Sequence, residues 1–337
     1  PMMVKKIWLM ISLFFFFPSI GSCTMFSKNK THFEWLATES APKNYPMKVL
    51  SGTFYYHNEN GGLYVPDAAS INAGWGTGVS THVVGEDYKA LPDRLDIRFF
   101  SYTENKMYHG SFDLPYDKIL ALFKAGVAKN KEDPTFKKIM VGIAPGGSVA
   151  VWVTGYETRE VFFGKAEPYE GVFTNSLNNP VDNVEEYSRQ VLKNSLSPEI
   201  LVHIRKNGIP FDQWQNYRKQ YHWIPTFVQQ QRPKYVGVAF FTGEDYKINF
   251  PIKDVTEKES RPVPMQISFA YLIAGETMPD FYTLRFDEEE IFSAFEKLGD
   301  EELIYIESDP KLPKASTAIR IFNSKQSIQL KKIIHLK

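Results

Sequence analysis

The chain has 337 residues, 43% apolar and 23% charged, and its 39 basic side chains are balanced by 39 acidic ones. This composition excludes a disordered chain, and a net charge of zero leaves no basic field to hold a nucleic acid. A single cysteine excludes an intrachain disulfide and a thiolate zinc cluster, and no two histidines sit at i,i+2 or i,i+4, so no metal site and no cofactor are expected. An aromatic content of 15%, with 21 Gly and 21 Pro, favours a strand-rich fold with frequent turns.

The first element is an address. Lys5 and Lys6 precede an apolar run from Ile7 to Phe17, which Pro18 ends. Ile20-Gly21-Ser22-Cys23 follows, so the stretch reads as an n-region, an h-region and a small-residue processing site. The order Ile-Gly-Ser-Cys resembles a bacterial lipobox, which implies a signal peptide over residues 1–22 and lipid attachment at Cys23. The same resemblance, with Thr24 rather than Asp after the cysteine, implies the periplasmic face of the outer membrane. A plain secretory signal or a spanning anchor is the alternative, because residues 7–27 carry no charge over 21 positions. Residues 23–31 read as a tether.

Two halves then repeat one pattern. Trp35 and Trp223 open them; Pro46-Met47-Lys48-Val49 compares with Pro233-Lys234-Tyr235-Val236, and Thr53–Tyr56 with Ala239–Thr242. Leu95-Asp96-Ile97-Arg98-Phe99 and Ile267-Ser268-Phe269-Ala270-Tyr271 share the parity of a half-buried strand. A helix follows in each half. The first has Pro115 near its start, Ile119, Leu122 and Phe123 as its stripe, and Gly126 as its cap. The second has acids at 287–290, a stripe of Ile291, Ala294, Phe295 and Leu298, and a stop at Gly299. Three apolar strands close each half, at 139–143, 149–153 and 161–163 and at 303–306, 318–322 and 328–330. The expectation is an α+β fold: two tandem antiparallel-sheet modules, residues 32–178 and 222–337, each with one main helix. Residues 179–221 form a helical connector packed on the first half. Val184–Leu192, the stretch opened by Ser197-Pro198, and the apolar face of Phe211, Trp214 and Tyr217 are its helices.

Several of these residues together resemble a family of bacterial lipoproteins, domain-of-unknown-function family 2931, over roughly residues 33–223. The resemblance is carried by Tyr45-Pro46, Gly74-Trp75-Gly76, Leu91-Pro92, Phe100-Ser101-Tyr102-Thr103-Glu104 with Tyr108, and Leu114-Pro115. It continues through Gly208-Ile209-Pro210, Trp214, Tyr217-Arg218 and Trp223. The second half keeps the core pattern but lacks the Gly-Trp-Gly and Glu104-like elements. What the resemblance implies is an immunity role: a periplasmic lipoprotein that binds a toxic phospholipase delivered by type VI secretion.

Catalytic motifs do not assemble along the chain. Gly146-Gly147-Ser148 lacks the closing glycine of a nucleophile elbow, no helix pattern follows Gly74–Gly78 to cradle a phosphate, and the acids at 287–290 suit a helix dipole. A binding protein rather than an enzyme is expected, with a cognate effector as its partner and the membrane reached only through the lipid. Residues 55–90 are the candidate surface: too long for a hairpin turn, they hold Tyr55, Tyr56, Tyr64, Trp75 and Tyr88. Tyr56, Tyr64, Trp75 and Tyr88 are the candidate partner-binding residues, although Tyr55 and Trp75 suit the sheet's own core equally well. The alternative function is a structural or small-ligand-binding envelope lipoprotein. Cys23→Ala should abolish acyl labelling and release the protein from membranes; firm retention of that variant would make the N-terminus a spanning anchor.

Overall fold

A computed structural model describes residues 31–228, 233, 235–248, 259–271, 277, 280–308 and 319–336. The signal sequence, Cys23 and the tether up to residue 30 lie outside the described residues. The fold is mixed α+β and mostly sheet.

The first half starts with β1 (His32–Glu34) and β2 (Leu36–Ser40), then β3 (Met47–Tyr56), β4 (Gly62–Tyr64), β5 (Tyr88–Ala90), β6 (Pro92–Ser101) and β7 (Lys106–Asp113). Helix α1 (Tyr116–Lys129) leads to β8 (Phe136–Ala144), β9 (Ser148–Gly155), β10 (Thr158–Lys165) and β11 (Glu167–Tyr169). Helices α2 (Val184–Ser195), α3 (Pro198–Asn207) and the single turn α4 (Gln213–Asn216) come next. The second half runs through β12 (Tyr221–Phe227), β13 (Tyr235–Phe240), β14 (Asp245–Lys247), β15 (Ser260–Arg261), β16 (Pro264–Tyr271) and β17 (Asp280–Phe286). Helix α5 (Glu288–Leu298), β18 (Ile304–Ser308), β19 (Ile319–Phe322), β20 (Ser327–Leu330) and β21 (Ile333–Leu336) complete it.

The sheets correspond strand by strand. The run β2-β8-β9-β10 has its counterpart in β12-β18-β19-β20, and β11-β7-β6-β3-β4 in β21-β17-β16-β13-β14. Trp35 and Trp223 are fully buried, and each indole N–H donates to a carbonyl just before one of the matching strands β6 and β16, Ala90 O at 3.1 Å and Pro262 O at 2.8 Å. Each indole thereby enters its core with its one polar group satisfied.

The expected single antiparallel sheet per half is corrected in two respects. Each half uses two main sheets, the first half adding the short antiparallel pair β1 with β5, and one main sheet of each half contains a parallel pair, β2 with β8 and β12 with β18. Alternation along a strand does not report the direction of its neighbour, and the crossover through β3–β7 and α1 is what returns β8 parallel to β2. The sheets are also not separate: β10 pairs with β14 at Thr158↔Asp245, which fuses one sheet from each half into nine strands.

Helix ends follow local chemistry with one exception. Asp287 caps α5 by accepting from Glu290 N–H at 3.0 Å, Gly299 stops it at φ 75°, and Ile291, Ala294, Phe295 and Leu298 are its buried stripe. In α1, Gly126 is not a cap. The helix runs on to Lys129, and a Cβ at 126 would stand 3.2 Å from Phe136 and 3.3 Å from Thr135, so glycine there permits close packing of helix on strand. Helix α2 is capped by Asn183 and lays Val184, Tyr187, Val191 and Leu192 against Phe100, Tyr102 and Phe173 of the first half. Phe211 sits in a turn rather than a helix and is 43% exposed.

Gly76 and Gly243 meet backbone to backbone at the seam. Both have positive φ, 77° and 89°, and a Cβ on Gly76 would come within 2.4 Å of Gly243 Cα. Gly61, at φ 90° in open space, is the matched control. Gly76→Ala should lower stability by about 3 kcal/mol or more, against about 1 kcal/mol for Gly61→Ala. Urea midpoints at unchanged slope are the measurement; equal losses would mean that the seam gives way freely.

Candidate functional site

The seam collects several of the residues that carry the family resemblance, Trp75, Gly76, Trp214, Tyr217 and Arg218 among them. Arg218, just past α4, faces Glu160 of β10 as a fork: Nε donates to Oε1 at 2.9 Å and Nη2 to Oε2, while Nη1 donates to Trp214 O. Both side chains are largely buried, 12% and 16% exposed. Burial pushes the Glu160 carboxyl up and the Arg218 guanidinium down, and their mutual attraction opposes both shifts. The guanidinium also stacks 3.6 Å from the Phe163 ring centroid. Trp75 packs edge-on against Trp152 at 5.0 Å, and the Trp152 N–H donates across the seam to Thr242 O at 3.1 Å. Gly142 lies under both rings; a Cβ there would meet Trp152 at 2.5 Å and Trp75 at 2.9 Å. Glu104 accepts from the Tyr108 hydroxyl at 2.6 Å and from Gly146 N–H at 3.0 Å, and so ties down the Gly146–Gly147 turn. Ser148 follows that turn fully buried, its hydroxyl without a hydrogen-bond partner among the described residues.

The four candidate partner-binding residues separate. Trp75 belongs to the seam, and Tyr56 is half-buried with its ring edge-on to Trp35 at 6.4 Å. Tyr64 and Tyr88 face outward, 44% and 56% exposed, and Val79 and Val83 join them at 44% and 87%. The Tyr64 hydroxyl lies 2.7 Å from His82 Nδ1. Irregular as it is, the loop is tied to β2. Gly74 N–H donates to Ala41 O at 3.0 Å, Val79 N–H to Glu39 O at 3.0 Å, and the Ser80 hydroxyl to the Glu39 carboxylate. These bonds cover an edge strand of the nine-stranded sheet. Glu39 is fully buried, and that burial raises its pKa.

A cleft of ≈ 1020 Å³ opens between the halves beside the connector. Tyr45, Trp75, Trp214, Tyr217 and Phe241 contribute its aromatic wall; Lys43, Arg285, Glu288 and Glu289 contribute charge. Tyr45 stands at 90° to Trp214 with centroids 5.7 Å apart, and Tyr217 stacks on Phe241 at 5.5 Å. Glu288 Oε1 accepts from Gln213 Nε2 at 2.6 Å and from the Tyr217 hydroxyl at 2.8 Å, linking α4 to the start of α5. Burial and the Glu288 charge both hold the Tyr217 phenol above its ordinary pKa. Glu160 does not stand out in the sequence, and Glu288 shows there only as one of the acids at 287–290, because each acquires its partner 58 or 71 residues away.

Among the described residues no group of three His, Cys, Asp or Glu is placed to hold a metal ion, and no helix is long and apolar enough to cross a membrane. His57 pairs with Asp93 at 2.7 Å, but its other ring nitrogen is taken by Asn58 at 2.7 Å.

Fold and seam together define a class: a mixed α+β, mostly sheet protein in which Trp75, Gly76 and Arg218 lie where β10 meets β14 and Gly243. The family model described as protein of unknown function, DUF2931, matches residues 23–232, and the chain belongs to that family. The match takes in the first half, the connector and the opening strand of the second half. No curated protein and no solved structure matches the chain.

Removing either member of the Arg218–Glu160 pair strands a buried charge. Arg218→Ala and Glu160→Ala should each lower stability by roughly 3–5 kcal/mol, and the double variant by clearly less than their sum. Urea unfolding of all four proteins measures the coupling, and additive losses would mean that the pair does not lock the seam.

Proposed function

We propose that the mature chain is a lipid-anchored protein of the outer membrane's periplasmic face that binds and neutralises a secreted, phospholipase-like effector. Protection is by occlusion: the 64–88 loop face covers the entrance to the effector's active site. One observation carries this reading. Tyr64 at the end of β4, Val79 and Val83 in the loop that follows, and Tyr88 at the start of β5 are exposed, and that loop is pinned to a sheet edge, whereas most aromatic residues of the motifs are buried. Tyrosines held on a rigid scaffold are the side chains that anchor protein interfaces. The family match opening at Cys23 supports a mature chain that begins at that cysteine.

The two halves are read here as tandem copies of one unit, 32–178 and 222–337, with 179–221 as the connector. Such a pair is a stiff platform, and an interface on the order of 1,600 Å² fits on one of its faces. Catalysis has no part in this reading. A second reading, an envelope lipoprotein with a small ligand and no toxin partner, is favoured by the aromatic cleft between the halves.

Periplasmic co-expression with a phospholipase-like effector encoded beside this gene tests the first reading. The exported protein should restore growth and co-purify with the effector as a stable complex. Tyr64→Ala with Tyr88→Ala should weaken that complex by at least about tenfold, since two interface anchors each contribute on the order of 1–2 kcal/mol. Absence of protection, or survival without any physical complex, would sink it.

A further inference from the structure

We infer that the cleft between the halves is a binding site for a small organic cation, whose ammonium or guanidinium group sits against Glu288 and the aromatic wall. The inference is independent of the toxin-binding reading, because Tyr64, Val79, Val83 and Tyr88, on which that reading rests, do not line the cleft, although Ala73, Gly74, Trp75 and Thr77 of the same loop do.

Space comes first. At ≈ 1020 Å³ the cleft has room for a small organic molecule, and a second hollow of ≈ 520 Å³ adjoins it across Gln213, Tyr217 and Glu288. The wall chemistry comes second. Tyr45, Trp75 and Phe241 line the cleft partly exposed, backed by the buried rings of Trp214 and Tyr217, so part of the aromatic surface is left to the shared space. Ring faces carry negative quadrupole density and attract a weakly hydrated cation.

The charge comes third. Both hydrogen bonds to Glu288 fall on Oε1, from Gln213 and Tyr217; among the described residues none falls on Oε2. A half-buried carboxylate is thus held in place by one oxygen with the other left to accept. The start of α5 carries a partial positive charge of about half a unit, which the full charges of Glu288 and Glu289 outweigh. Lys43 and Arg285 also line the cleft, but both are exposed, so water screens them more than it screens Glu288. Phosphate or acetate would meet the carboxylate unfavourably, and a neutral apolar molecule would leave Oε2 unused.

Choline is the probe, with 3,3-dimethyl-1-butanol as its uncharged isostere and sodium acetate as the anion control. Tryptophan fluorescence of the whole protein, in which Trp75 and Trp214 border the cleft, and titration calorimetry are the readouts. Choline should give saturable binding with a millimolar Kd, at least tenfold tighter than the alcohol, and acetate should give none. Glu288→Gln, which still accepts from Gln213 and Tyr217, should weaken choline at least tenfold with an unchanged urea midpoint. Tyr45→Ala, which leaves those hydrogen bonds alone, should weaken it several-fold, and serves if the first variant unfolds. Neither variant should change complex formation with an effector, so the two readings fail separately. No saturable choline response, equal binding of choline and its neutral isostere, or undiminished binding by both variants overturns the proposal.

Discussion

The arginine–glutamate fork at the seam is the constraint around which the rest of the molecule is arranged. A guanidinium taken out of water is tolerated only when its donors are satisfied, and Arg218 meets that requirement from two directions, the Glu160 carboxylate and the Trp214 carbonyl. Those partners lie on β10 and α4, so the bond that solvates the charge also holds the connector against the first half. Glu244, from the second half, accepts the Glu160 backbone N–H at 3.1 Å, which places that half at the same point. The Phe163 ring lies against the guanidinium and Trp75 stands 6.0 Å from it, so the pair is largely shielded from water, which makes it hard to open.

Strand edges explain the outline of the molecule. A sheet edge offers unpaired N–H and C=O groups, and the chain deals with its edges differently at different places. At β10 and β14 two edges are spent on each other. At β2 the 74–80 loop lies along the strand, held by Gly74, Val79 and Ser80. The second half contains no equivalent of that loop's Gly-Trp-Gly motif, which is consistent with there being a single seam to build.

Motif residues and surface residues therefore do different work. Gly76, Gly142, Trp75, Trp214, Tyr217 and Arg218 are accounted for by close approach, ring packing and a buried charge. What remains for a partner or ligand is chemistry those motifs do not announce: a loop with outward tyrosines and valines, and a cleft whose carboxylate is half used.

Much of the architecture is legible in the sequence because it rests on local periodicity. The alternation of Leu95–Phe99 and Ile267–Tyr271, the α5 stripe with its Asp287 and Gly299 ends, and the matching positions of Trp35 and Trp223 all depend on neighbours within a turn or two. Gly126 misleads for the same reason: a glycine near a helix end reads as a cap until the strand packed on it is known. Parallel pairing of β2 with β8, the fusion at β10–β14 and the inward turn of Tyr56 and Trp75 were decided only by tertiary structure. So were the partners of Glu160 and Glu288, 58 and 71 residues distant. A side chain's spacing records which face of its own element it occupies; which edge or charge from elsewhere meets that face is set by how the two halves close on each other.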